Sequence, residues 1–114
     1  MKRRVVVEID LKALVRNYRK IAAHVRPAKV LCVLKANAYG LGVADYAKAL
    51  ASAGCTLFGV AEPFEALELL RVLGPTTRTG EASRTRTTSV ARTAEVQMLS
   101  SVLPDEIDEM VKGG

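Results

Sequence analysis

The stretch Lys29–Gly42, reading KVLCVLKANAYGLG, constrains the fold of this 114-residue chain more than any other. Its first half, Val30-Leu31-Cys32-Val33-Leu34, is continuously apolar, rich in β-branched residues and bounded by lysines. That pattern predicts a strand buried on both faces, as in a parallel sheet. The run stops at Lys35, and the small-residue loop Ala36–Gly42 follows. A lysine at the carboxyl end of a buried strand stands where α/β folds keep their chemistry. Desolvation there disfavours the ammonium and makes the amine a usable nucleophile and base. The plainer alternative is that Lys35 simply ends the strand and points into water.

The flanking segments extend the pattern. Val5–Ile9 reads as a short strand, and Asp10 then offers its carboxylate as an N-cap. Leu11, Leu14, Val15, Tyr18, Ile21, Ala22 and Val25 recur at helical spacing as one apolar stripe, with Pro27 beyond the helix end. Lys12, Arg16, Arg19, Lys20 and Arg26 fall off that stripe and read as a solvated face. Within the central loop, Gly40 and Gly42 permit backbone conformations closed to other residues and close approach of a ligand. An Ala-rich helix over 43–53 is closed by Gly54. Cys55–Ala61 is a second apolar strand. Pro63 opens another helix that is expected to turn Phe64, Leu67, Leu70 and Leu73 inward before Gly74. Val96–Leu99 is a third short strand, and Pro104 with its acidic neighbours opens a last helix. Strands alternating with helices over short links predict right-handed βαβ units and a parallel sheet.

The run Thr76–Arg92 breaks this order with six Thr, two Ser and four Arg, and Val90 as its one large apolar residue. Such composition cannot bury enough surface to offset its ordering entropy, so a mobile loop is expected over 76–94. An insertion, a diverged loop and a sequence error all fit it, and so does a phosphate- or RNA-binding arm.

The bulk properties narrow the class. The length allows one domain with a modest core. No apolar run approaches bilayer length. After the basic Met1–Arg4, the apolar run Val5–Val7 is too short for an export signal, so cytoplasm is the expected compartment. Cys32 and Cys55 fall in predicted strands and read as small core residues in a reducing compartment. His24 is the single histidine, late in the first helix, and no metal-ligand spacing is present. The net charge of +5 raises the question of nucleic acid. Scattered basic residues and an aromatic content of 4% argue against it.

KANAYGLG after an apolar strand resembles the cofactor-attachment motif of alanine racemases, and the likeness extends to both sides. Residues 7–21 resemble the opening strand and first helix of that family. Residues 58–70 resemble its second strand and helix, and VQMLSSVLPDEIDEMV resembles its third. Leu41 stands where a histidine is common. The resemblance implies that Lys35 forms a Schiff base with pyridoxal 5'-phosphate and that Tyr39 helps hold the cofactor phosphate. It implies interconversion of L- and D-alanine, for cell-wall D-alanine supply, by a homodimer.

It also implies an α/β fold of (β/α)8 TIM-barrel type followed by a β-rich domain. Such a barrel needs about 250 residues. The pattern here holds about three βα units preceded by a strand and a helix. The expectation is therefore that residues 1–114 are an amino-terminal part of a pyridoxal-phosphate-binding barrel, without the carboxy-terminal β-domain. Racemisation needs a base on each face of the α-carbon. By resemblance Lys35 is one. The other, a tyrosine of the second domain from the neighbouring subunit, is not in this sequence, so the chain alone is expected to turn over little alanine. Two further readings stay open: a non-catalytic pyridoxal-phosphate-binding protein of the same barrel superfamily, and a basic interaction module working through the Thr/Arg-rich run.

Overall fold

Asp10 starts the first helix as its chemistry dictates. Its extended backbone sets Oδ1 to accept the Ala13 N–H at 3.0 Å, capping α1 (Leu11–His24). In the computed structural model, which describes residues 5–74, 94–99 and 104–113, seven further elements follow. They are β1 (Leu31–Val33), α2 (Lys35–Tyr39), α3 (Val43–Ser52), β2 (Leu57–Val60), α4 (Pro63–Leu73), β3 (Glu95–Met98) and α5 (Pro104–Gly113). The Thr/Arg-rich run, and with it the loop expected over 76–94 up to residue 93, lies outside the described residues.

The three strands form one parallel sheet in the order β1-β2-β3. Leu31, Leu57 and Glu95 stand in register, as do Cys32, Phe58 and Val96. Strand side chains alternate between faces, so the second set shares a face with Val60 and Met98. That face builds the core. Phe58, Val60 and Leu34 pack with Val43, Ala47 and Leu50 of α3 and with Ala66 and Leu69 of α4. Phe58, Val60 and Leu69 are wholly enclosed. The other face carries Leu31, Val33, Leu57 and Gly59, with Glu95 and Gln97 exposed on β3.

Three expectations need correction. No strand forms over Val5–Ile9, where the backbone is irregular and Val5, Val6 and Val7 are exposed. An apolar triplet beside Glu8 and Asp10 does not form a strand without a partner to pair with. β1 is not buried on both faces. It is an edge of the sheet and its three residues are half-buried, while the apolar run's deepest member is Leu34 just beyond it. On α4 the inward stripe is Pro63, Ala66 and Leu69, with Leu67, Leu70 and Leu73 half-buried at its margins. Phe64 is 66% exposed. The way α4 docks on the sheet, not the stripe itself, turns Ala66 and Leu69 rather than Phe64 inward.

Apart from α2, which stands where the sequence reads as a loop, the remaining elements match the sequence closely. α1 lays Leu14 and Tyr18 against the core but leaves Ile21 half in solvent and His24 exposed at its last residue. α3 ends before Gly54, whose φ of +103° suits a residue without Cβ. Among the described residues, no helix is long and apolar enough to cross a membrane.

Candidate functional site

Immediately after β1 the chain does something few sequences do. Ala36, Asn37, Ala38 and Tyr39 all take φ of 52–55°, and Gly40 continues at +82°. This is a left-handed helical turn built mostly from residues with a Cβ. Each such residue costs roughly 1–2 kcal/mol against the right-handed form. α2 is therefore a strained element, and strain of this size persists only where the surroundings over-determine it.

Those surroundings can be named. Within the turn, the Ala38 N–H donates to the Leu34 carbonyl at 3.0 Å and the Gly40 N–H to that of Ala36 at 2.9 Å. Asn37 accepts the Val43 N–H on Oδ1 at 2.9 Å and the Gly42 N–H on its own carbonyl at 3.0 Å, so it caps α3 from across the loop. Ala38 is buried in the core with 2% of its surface exposed, which anchors the turn from beneath. Gly42, at φ +99°, completes the bend into α3.

The fourth support comes from α4. Glu65 accepts the Ala36 N–H on Oε1 at 2.6 Å, and on Oε2 the N–H groups of Ala61 and Glu62, both at 2.9 Å. With Glu62 it also forms a reciprocal capping box at the start of α4. Its carboxyl group titrates below the ordinary range. Burial pushes it up, but the amides of Glu62, Ala36 and Ala61 and the charge of Lys35 outweigh that.

This scaffold holds both residues singled out from the sequence. Lys35 opens the turn at the carboxyl end of β1, and Tyr39 closes it; both are exposed, Tyr39 by 61%. The desolvation expected around Lys35 is not supplied by the described residues. One cleft, of about 520 Å³, sits at the opposite, amino ends of the strands against Arg26, Lys29, Gly54 and Thr56. Neither Lys35 nor Tyr39 lines it. A Cβ built on Gly40 or Gly42 would meet nothing within 4 Å, so the space beside the bend is open.

Sequence reasoning missed Glu65 and Asn37. Glu62 and Glu65 stand in capping-box spacing, a signal for the helix start, but nothing local announces that Glu65 reaches back 29 positions to Ala36. It also missed that the two cysteines meet. Both are free, and Cys55 Sγ lies 3.4 Å from Cys32 Sγ and 3.3 Å from the Leu57 carbonyl oxygen. Cys55 is lowered to about 7, first by hydrogen bonding from the Cys32 thiol, with burial opposing, and Cys32 is correspondingly raised. Among the described residues no group of three or more His, Cys, Asp or Glu is arranged to hold a metal ion.

A parallel sheet with a lysine on a strained turn at a strand's carboxyl end defines an α/β protein. Comparison with known proteins makes this specific. The family model "Alanine racemase, N-terminal domain" matches residues 9–113, and the chain belongs to that family. Alanine racemase 3 of Salmonella typhi is 47% identical over 68 residues, which is 60% of this chain and 18% of that protein. The catabolic alanine racemase of Rhizobium johnstonii is 49% identical over 61 residues, 54% of this chain and 16% of that one. Among solved structures, alanine racemase from Bartonella henselae with covalently bound pyridoxal phosphate aligns at a TM-score of 0.54 and 47% identity. That alignment covers 60% of this chain and 19% of the other. The chain thus spans about a fifth of the length of the relatives it matches.

Proposed function

We propose that this chain carries the cofactor-attachment part of an alanine racemase, with Lys35 as the residue that holds pyridoxal 5'-phosphate covalently. The observation that carries the proposal is the left-handed turn, strained and held from four sides, that ends in the two residues the chemistry needs. The donor set fits the cofactor. Lys35 offers an exposed primary amine to an aldehyde. Tyr39 offers a phenol hydroxyl, a hydrogen-bond donor suited to a phosphate oxygen, beside the open space at Gly40 and Gly42. When bound, pyridoxal phosphate supplies an electron sink for charge developing at the α-carbon of an amino acid.

The chain's own residues do the rest of what is assigned here. Lys35 Nζ accepts and returns the α-proton of alanine on one face. Racemisation needs a second base on the other face. The reading places that base in sequence outside these 114 residues, in a β-rich domain of a neighbouring subunit, which makes the working unit a homodimer. The three parallel strands among the described residues do not close an eight-stranded barrel, and residues 1–114 are read as the amino-terminal part of a (β/α)8 barrel domain. Cytoplasm is the proposed compartment.

The test is to incubate the chain with pyridoxal phosphate, reduce with borohydride and map the modified residue by peptide mass spectrometry. The label is expected on Lys35. Label spread over the other lysines, or absent, removes the assignment.

A further inference from the structure

We infer that Glu65 is a positioning residue for Lys35, a clasp that fixes the lysine-bearing turn to the start of α4; this rests on the reading of Lys35 as the attachment lysine. One carboxylate oxygen holds the first amide of the left-handed turn, at Ala36, next to Lys35 itself. The other holds the amides of Ala61 and Glu62 where β2 passes into α4. A single side chain thereby ties the carboxyl ends of two neighbouring strands together, and all its bonds are of the strong, charge-assisted kind.

The geometry is more than a helix cap requires. A capping box is complete with the Glu62 N–H. The bond to Ala36 is additional, spans two βα units and falls on the residue whose φ of 52° is the first step into the strained turn. Lys35 adds the smallest of the contributions that hold the Glu65 carboxyl ionised. Among the described residues, Lys35 acts on the carboxylate from across the turn and Glu62 stands at the head of the same helix. Glu65 thus sets where the backbone beside Lys35 stands. It touches no reacting atom.

The test uses the 114-residue chain, isotope-labelled, with E65Q and E65A, and reads two quantities. In amide-resolved NMR, the Ala36 signal is expected to shift with pH at a midpoint below that of an ordinary glutamate. The shift disappears in both variants, and Ala36 exchange with solvent accelerates by about tenfold or more, the scale of a lost charge-assisted bond. Signals of Phe58, Val60 and Leu69 report whether each variant keeps its core. In the second readout, pyridoxal phosphate with borohydride labels the lysines. Selectivity for Lys35 over Lys12, Lys20, Lys29 and Lys48 is expected to fall severalfold in E65A, with E65Q between, since it keeps an acceptor but not the charge. An Ala36 amide indifferent to the carboxylate overturns the clasp. Equal selectivity for Lys35 in all three chains overturns the positioning role alone. No label on Lys35 in the unsubstituted chain overturns the functional reading and the positioning role with it.

Discussion

Ala36 and Ala38 share a backbone conformation but not an environment, and the difference yields a sharp expectation. Ala36 is exposed and Ala38 is buried. Replacing Ala36 with Gly removes the left-handed penalty at no packing cost, so A36G is expected to stabilise the chain by about 1 kcal/mol. A38G gains the same relief but gives up a buried methyl worth about 0.8 kcal/mol, and it should be close to neutral. Asn37→Ala deletes the acceptor that caps α3 and is expected to cost about 1 kcal/mol. Urea unfolding midpoints, with the slope held in view, measure all three. At this scale the sequence marks Lys35 and Tyr39 as candidates because their motif is local. It was silent on Glu65, whose work depends on a partner 29 residues away.

Elements were legible where capping and periodicity agree. Asp10 began α1, Pro63 began α4 and Pro104 began α5 as their chemistry demands. The phase of α4 was not legible, because Phe64, Leu67 and Leu70 make as good a helical stripe as Ala66 and Leu69, and only the docked helix decides. Leu69→Ala is accordingly expected to cost about 2–5 kcal/mol, while Phe64→Ser at a 66% exposed site stays within about 0.5 kcal/mol. Thermal or urea unfolding separates the two, and a reversed order would restore the stripe read from sequence. The thiol pair, on β1 and just ahead of β2, carries a pH signature. The unfolded chain has ordinary thiols near 9.0, whereas Cys55 ionises at about 7 in the fold. Between those values the unfolded state binds more protons, so stability rises with pH across about 7 to 9 and that gain vanishes as pH falls through 7. Above 9 the raised Cys32 reverses the sign, since the fold then keeps a proton that the unfolded chain loses. The melting temperature relative to a Cys32→Ser chain, followed from pH 6 to 10, checks the direction of both limbs.

For the whole molecule, alternating apolar strands and amphipathic helices were enough to give a parallel α/β sheet, and the order β1-β2-β3 agrees. Burial on both faces was overread for β1 because an apolar run reports hydrophobicity, not whether a neighbour covers it. The strain in α2 was invisible for a related reason. Alanine and asparagine do not announce left-handed backbone, and only the converging bonds from Glu65, Asn37 and Gly42 make it stable. That same convergence is what lends the lysine its fixed station in the fold, and with it the functional reading. A crystal structure of the chain grown with pyridoxal phosphate tests this most directly. The account predicts density continuous from the cofactor to Lys35 Nζ, with its phosphate against the Tyr39 hydroxyl. A cofactor joined to any other lysine, or a phosphate lying away from the Tyr39–Gly42 bend, would contradict it.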